Sequence, residues 1–185
     1  MILPLLLIAL CVVLRILPHP PNFAPVGAAG VLGGRTLRLP VAIVTVVASM
    51  AISNVILARL HGYEAFGWVS LFVYGGFVAQ VVIARALRRV RGGAIGAAVL
   101  GAVTFFLLSN LGVWAAGTLY PPTAAGLWAC FLAAVPFFAG TLAGDVLWTV
   151  VLVGAHRAIG QRIAARAGAR GARWVDPATL ERPAL

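Results

Sequence analysis

Six apolar stretches, each closed by proline, glycine or arginine, constrain this chain more than any other feature. An α-helix rises about 1.5 Å per residue, so about 20 apolar residues cross the roughly 30 Å hydrocarbon core of a bilayer. The stretches cover residues 1–17, 23–34, 39–57, 66–87, 93–114 and 124–156. The second is short and ends at Gly33-Gly34-Arg35, and the third starts around Pro40, as a helix-start proline predicts. The sixth is too long for one straight crossing. Pro136, Gly140 and Gly144 predict a break there, with a half-helix to residue 135 and a full crossing from residue 137. Gly93, Ala97 and Gly101 recur every fourth residue and predict a small-residue face for close helix contact.

Composition argues against the main alternative. With 62% hydrophobic and 10% charged residues, the chain lies far from the roughly 25% charged content of soluble domains. A water-soluble fold is not expected. The net charge of +10 comes from 14 arginines and no lysine, and these arginines punctuate apolar runs of membrane length. That arrangement points to lipid headgroups as the partner of the charge and away from nucleic acid. The expected fold is therefore an all-α integral membrane bundle of six segments, with a short second helix and a proline-broken last one.

Arginine placement predicts the orientation, because cytoplasmic loops retain positive charge. With six crossings and a cytoplasmic N-terminus, twelve of the 14 arginines fall on the inner side and only Arg15 and Arg59 on the outer. Residues 1–157 read as one transmembrane domain. Residues 158–185, with arginines every three to five positions as far as Arg173, read as a basic cytoplasmic tail against the anionic leaflet. The first stretch lacks a basic start and a small-residue cleavage site, so it reads as a membrane helix rather than a secretory signal. Cys11 and Cys130 lie inside apolar runs, where a structural disulfide is not expected.

On this topology the outer loops hold Pro, aromatic and amide groups: His19-Pro20-Pro21-Asn22-Phe23, residues 59–64, and Trp114 to Tyr120-Pro121-Pro122-Thr123. Trp114 and Tyr120 fit an interfacial aromatic belt equally well. Stiff loops with polar tips also line shallow outward pockets. Within the membrane, Asp145 is the sole acidic side chain, and Thr141, Asp145 and Thr149 share one helix face. An isolated carboxylate at that depth is costly, so the face points inward, and Asp145 either finds a partner in Asn54, Asn110 or the Pro136 break or is protonated.

Enzymatic readings find little support. Asp145 and His156 are eleven residues apart, about 16 Å along a helix, beyond any hydrogen bond. There is no H-E-x-x-H, C-x-x-C or Gly-rich nucleotide loop, so neither a cofactor nor a resident metal is expected. The expected binding site lies on the outer side, between the first loop, the end of the fifth helix and the half-helix before Pro136. His19, Pro21, Asn22, Phe23, Asn110, Trp114, Tyr120, Trp128 and Cys130 are its candidate contacts. Asn54, Thr141, Asp145 and Thr149 are the candidate buried support. Cys130 reads first as a small buried hydrophobe, and His19 and Cys130 are donors only toward a metal-containing ligand.

The segment Asn22-Phe23-Ala24-Pro25-Val26-Gly27-Ala28-Ala29, a helix carrying Ser53-Asn54, Phe66-Gly67-Trp68 opening into Tyr74-Gly75-Gly76-Phe77, and Ser109-Asn110 followed by Trp114 and Tyr120-Pro121 together resemble the substrate-binding S components of energy-coupling-factor vitamin transporters. The chain is also similar to uncharacterised bacterial membrane proteins that share Pro-His-Pro-Pro-Asn-Phe, Asn-Leu-Gly-Val-Trp, Tyr-Pro-x-Thr and Pro-Phe-Phe-x-x-Thr-x-x-Gly-Asp. The S-component resemblance implies a six-helix bundle in the bacterial cytoplasmic membrane that takes up a vitamin-like molecule, capped by the first loop. It also implies a transmembrane coupling subunit with ATPases, docked on an Ala-x-x-x-Ala face of the first helix. Here Ala9 is flanked four residues away by Leu5 and Val13. A structural membrane subunit without ligand, and an enzyme, are the rival expectations.

Overall fold

The computed structural model describes residues 2–172, with side chains through residue 166. Every regular element among them is helical: α1 (Ile2–Ile16), α2 (Val26–Thr36), α3 (Leu39–His61), α4 (Trp68–Ala86) with a 3₁₀ turn at Leu87–Arg89, α5 (Gly93–Ala115) and α6 (Ala124–Ala172). The chain divides into two units, Met1–Leu152 and Val153–Leu185. In the second, residues 154–166 are an exposed helical stretch.

Four helices are long and apolar enough to cross a membrane: α3, α4 with its 3₁₀ turn, α5 and α6. Their outward positions carry Val44, Leu71, Leu100, Leu132 and Val150, exposed residues that hydrocarbon would solvate and water would not. The fifteen residues of α1 are apolar but shorter. The eleven of α2 reach about 16 Å, about half a bilayer core.

The shortest helix is the most enclosed. All nine residues from Val26 to Gly34 are buried, and α2 packs against α1, α3, α4 and α5. Its Gly and Ala content makes this arrangement feasible, because helices in lipid gain stability from close van der Waals approach rather than from hydrophobic burial. Gly30 lies against Val46 and Val81, and Gly33 against Ala42. At Gly34 an added methyl would meet the Val81 backbone carbonyl. Val31 then joins Ala84, Ala97 and Ala98 in one core cluster, so the predicted small-residue face of α5 is a packing surface. Gly101, the third member of that face, meets Gln80 of α4.

Local signals set the ends of α3. Pro40 occupies its first turn, and Gly62 closes it in the left-handed conformation (φ 75°), donating its N–H to the Ala58 carbonyl. Opposite ends of the helices are tied differently. Arg35 donates to the carbonyls of Leu87 and Arg88, and Arg85 to that of Leu37, so arginines fasten the C-terminal ends of α2 and α4 together.

One expectation about the last segment is corrected. Pro136 lies inside a single helix, and α6 runs through it without a break. Proline removes one backbone hydrogen bond and leaves the others in place, and lipid offers unpaired backbone no substitute partner, so continuity is the better solution. The Pro136 ring is exposed. It precedes Asp145 by nine residues, about two and a half turns, and therefore occupies the opposite face. Gly140 and Gly144 are not breakers either. They are the places where the first loop lies on α6.

Candidate functional site

The loop between α1 and α2 is shaped by its own sequence. Phe23 N–H bonds the Pro20 carbonyl at 3.2 Å across Pro21 and Asn22, and Asn22 has φ 60°. A turn with proline second and a left-handed residue third admits Gly or Asn at that third position. Asn22 is thus fixed by backbone geometry as well as by its side chain. The turn is pressed onto α6. A methyl on Gly140 would stand 2.6 Å from the Pro21 carbonyl oxygen, and one on Gly144 would stand 3.1 Å from the Phe23 Cα. Trp148 Nε1 donates to the Phe23 carbonyl at 2.9 Å. His19 Nδ1 lies 2.7 Å from the Pro20 carbonyl, which can only accept, so that nitrogen carries the proton.

Asp145 is buried at 5% exposure and faces inward, as the helical spacing of Thr141, Asp145 and Thr149 predicts. Its partner differs from the expected ones. Gln80 of α4 donates Nε2 to Asp145 Oδ2 at 2.8 Å, whereas Asn110 donates to the Phe106 carbonyl and Asn54 to the Tyr74 hydroxyl. The physical cause is space. Glycines on two other helices open room for both side chains: a methyl on Gly101 would overlap the Gln80 side chain, and one on Gly27 would overlap the Asp145 carboxyl. That carboxyl consequently lies on the first turn of α2, where peptide dipoles favour negative charge. Asp145 Oδ1 accepts no hydrogen bond from a described residue. Gln80 Oε1 and Thr149 Oγ1 are buried without a partner among the described residues.

A cation stands in another wall. Arg15, in the last turn of α1, uses Nη1 alone for three acceptors on α3: Ser53 Oγ at 2.6 Å, Asn54 Oδ1 at 3.0 Å and Met50 Sδ at 3.2 Å. Ser53 is oriented for this by donating to the Ser49 carbonyl, the third step of a Thr45, Ser49, Ser53 ladder along one buried face of α3. No carboxylate pairs with Arg15 among the described residues.

These pieces line a half-open cavity of about 350 Å³. Its polar lining is Arg15, His19, Asn22, Thr141 and Asp145, and its apolar walls include Met50, Leu57, Val73, Phe77 and Phe105. The two aromatic rings pack at 4.7 Å between centroids, and Gly76 lets Phe105 lie against α4. A second cavity of about 180 Å³ shares Asn22, Phe105 and Thr141 and extends to Ser109, Asn110 and Ala134. The first loop therefore roofs two adjoining chambers.

Of the predicted contacts, His19, Asn22 and Asn110 line a cavity, and so do Thr141 and Asp145 from the predicted support. Pro21 and Phe23 act through their backbones, as anchors of the loop on α6. Trp114, Tyr120 and Trp128 line neither cavity. Trp114 Nε1 donates to the Pro121 carbonyl at 3.1 Å and fastens its own loop, and Trp128 is exposed. The Cys130 thiol is buried and turned to the Asn110 carbonyl at 3.5 Å. Asn54 holds Arg15 and Tyr74 behind the cavity wall, and Thr149 lies a turn beyond Asp145. The main chamber thus lies nearer α1 and α3 than the sequence suggests. The residues that sequence reasoning missed are Arg15, Met50, Phe77 and Phe105. Arg15 had one available signal, a charge closing an otherwise apolar helix opposite Ser53-Asn54.

Comparison with known proteins gives a family and nothing finer. The chain matches the profile of a family of unknown function, DUF6580, over residues 1–167, and belongs to that family. No curated protein and no solved structure matches it.

Proposed function

We propose that this member of the DUF6580 family is a membrane-embedded binding protein that takes up a small, partly apolar molecule, in the manner of the S components it resembles. The observation that carries the reading is the main cavity. At about 350 Å³ it falls within the range of small-molecule sites, and a few polar groups converge on predominantly apolar walls. A purely structural subunit would have no use for a chamber whose roof is a separately anchored loop. An enzyme would need a second catalytic group beside Asp145, and the lining offers only the His19 imidazole of the first loop as a candidate.

In this reading both termini are cytoplasmic, and the first loop dips in from the outer side to Gly140 and Gly144 of α6, so that loop and α2 together make the second of six crossings, which accounts for the arginine asymmetry. The exposed α1 face of Leu5, Ala9 and Val13 is the surface offered to a transmembrane coupling subunit. Native mass spectrometry of the detergent-purified chain tests the binding: a reproducible small-molecule adduct is expected, and its absence across membrane extracts would overturn the reading. Cysteines introduced at His61 and Ala169 test the topology, with labelling expected from opposite sides.

A further inference from the structure

The chemistry of the two charged groups in the main cavity narrows what it holds, given the binding reading above. We propose that the cavity takes a small zwitterion whose anionic group docks on Arg15 and whose N–H donor docks on Asp145, with an apolar body between them.

The argument starts from unused bonding capacity. The Arg15 guanidinium offers five N–H donors, and the three acceptors on α3 all engage Nη1. Its Nη2 and Nε meet no acceptor among the described residues, and neither acceptor residue on α3, Ser53 or Asn54, supplies negative charge. Asp145 has the complementary shortage: Oδ2 takes the Gln80 amide, and Oδ1 takes nothing. Both residues line the same chamber, yet they form no ion pair with each other. A cation and a carboxylate enclosed by apolar walls each carry a large desolvation cost unless paired. Self-pairing would relieve that cost. The fold prevents it by holding Arg15 on Met50, Ser53 and Asn54 of α3, and Asp145 on Gln80 and against Gly27.

An occupant with one anionic end and one donor end satisfies both groups at once. A singly charged molecule leaves one of them unpaired. Phe77 and Phe105 in the same lining favour an apolar or flat body, and the fork of a guanidinium suits a carboxylate or a phosphate. The same pair of headgroup charges exists in phosphatidylethanolamine, so the lipid is the rival source of this chemistry.

The test uses the full chain in detergent with matched sets of probes. L-tryptophan is compared with indolepropionate and tryptamine, and L-leucine with isocaproate and isoamylamine. Thermal shift and titration calorimetry are the readouts, and native mass spectrometry identifies any ligand retained from cells. In at least one set the zwitterion is expected to bind about tenfold or more tightly than either singly charged analogue. Arg15→Gln should remove the advantage of the carboxylate while leaving amine binding, and Asp145→Asn, which keeps the Gln80 bond, should do the reverse. Arg15→Lys, keeping charge but losing the fork, should fall between. Equal binding of a zwitterion and its amine, or a retained small molecule lacking either group, overturns the proposal while the binding function stands. Retained phosphatidylethanolamine that blocks every probe overturns it in favour of the lipid. No adduct and no shift with any probe overturns the binding function itself.

Discussion

The two ends of α2 are built on different terms. At its C-terminal end Gly34 lies under the Val81 carbonyl and against Ala84, and Arg35 donates to the carbonyls of Leu87 and Arg88. Apart from the Arg35 guanidinium, everything there is backbone and small side chain. At its N-terminal end Gly27 lies under the Asp145 carboxyl, beside a Gln80 amide and a cavity roofed by the first loop. The first end has no freedom to adjust, and the second contains rotatable polar groups and empty space. One eleven-residue helix thus serves as a rigid joint at one end and as the floor of a site at the other.

Substitutions at the two ends should separate stability from binding. The largest loss is expected from Gly34→Ala, where the obstructing atom belongs to backbone and overpacking costs about 3 kcal/mol. The midpoint of thermal unfolding in detergent should fall markedly. Gly27→Ala should cost less stability, because the Asp145 side chain can rotate away, yet it should abolish ligand retention. If Gly27→Ala destabilises as much as Gly34→Ala, the two ends are equally rigid and the contrast is lost.

Gln80→Leu removes the donor to Asp145 at nearly constant volume and should cost about 2 kcal/mol, since a buried carboxylate loses its bond. Its effect on ligand retention should exceed that of any change at the arginine-tied end. Arg35→Ala should cost about 1 to 2 kcal/mol through two charge-assisted bonds to carbonyls, with ligand retention unchanged. The smallest change is expected for Trp148→Phe, about 0.5 to 1 kcal/mol for one indole bond to the Phe23 carbonyl. Faster proteolysis or hydrogen exchange confined to residues 18–25 would show that this bond pins the roof. Uniform loosening of the bundle would show that it does not.

Much of the fold was legible, for reasons that lie in particular residues. Pro40 starts α3 because proline suits a first turn, and Ala97 and Gly101 mark a close helix face because no large side chain intervenes. The inward face of Thr141, Asp145 and Thr149 followed from helical spacing together with the cost of a carboxylate in lipid. Gly140 and Gly144 were misread as breakers. Glycine in a membrane helix serves equally for bending and for close approach, and only the position of the first loop distinguishes the two. Trp114 and Tyr120 look alike in sequence whether they line a pocket or fasten a loop, and the Trp114 bond to the Pro121 carbonyl shows a fastener.

What the sequence determined by itself is what depends on local spacing and on transfer between water and lipid: helical class, the number of helices and the inward face of Asp145. These are properties of one segment and its solvent. The tertiary structure decided who meets whom. Gln80 rather than Asn54 or Asn110 reaches Asp145 because Gly27 and Gly101, on two other helices, leave the room. Arg15 faces a cavity because α3 presents Met50, Ser53 and Asn54 to one nitrogen of its guanidinium. Partners separated by 35 to 65 residues carry no spacing signal, and close packing between helices is what selects among them.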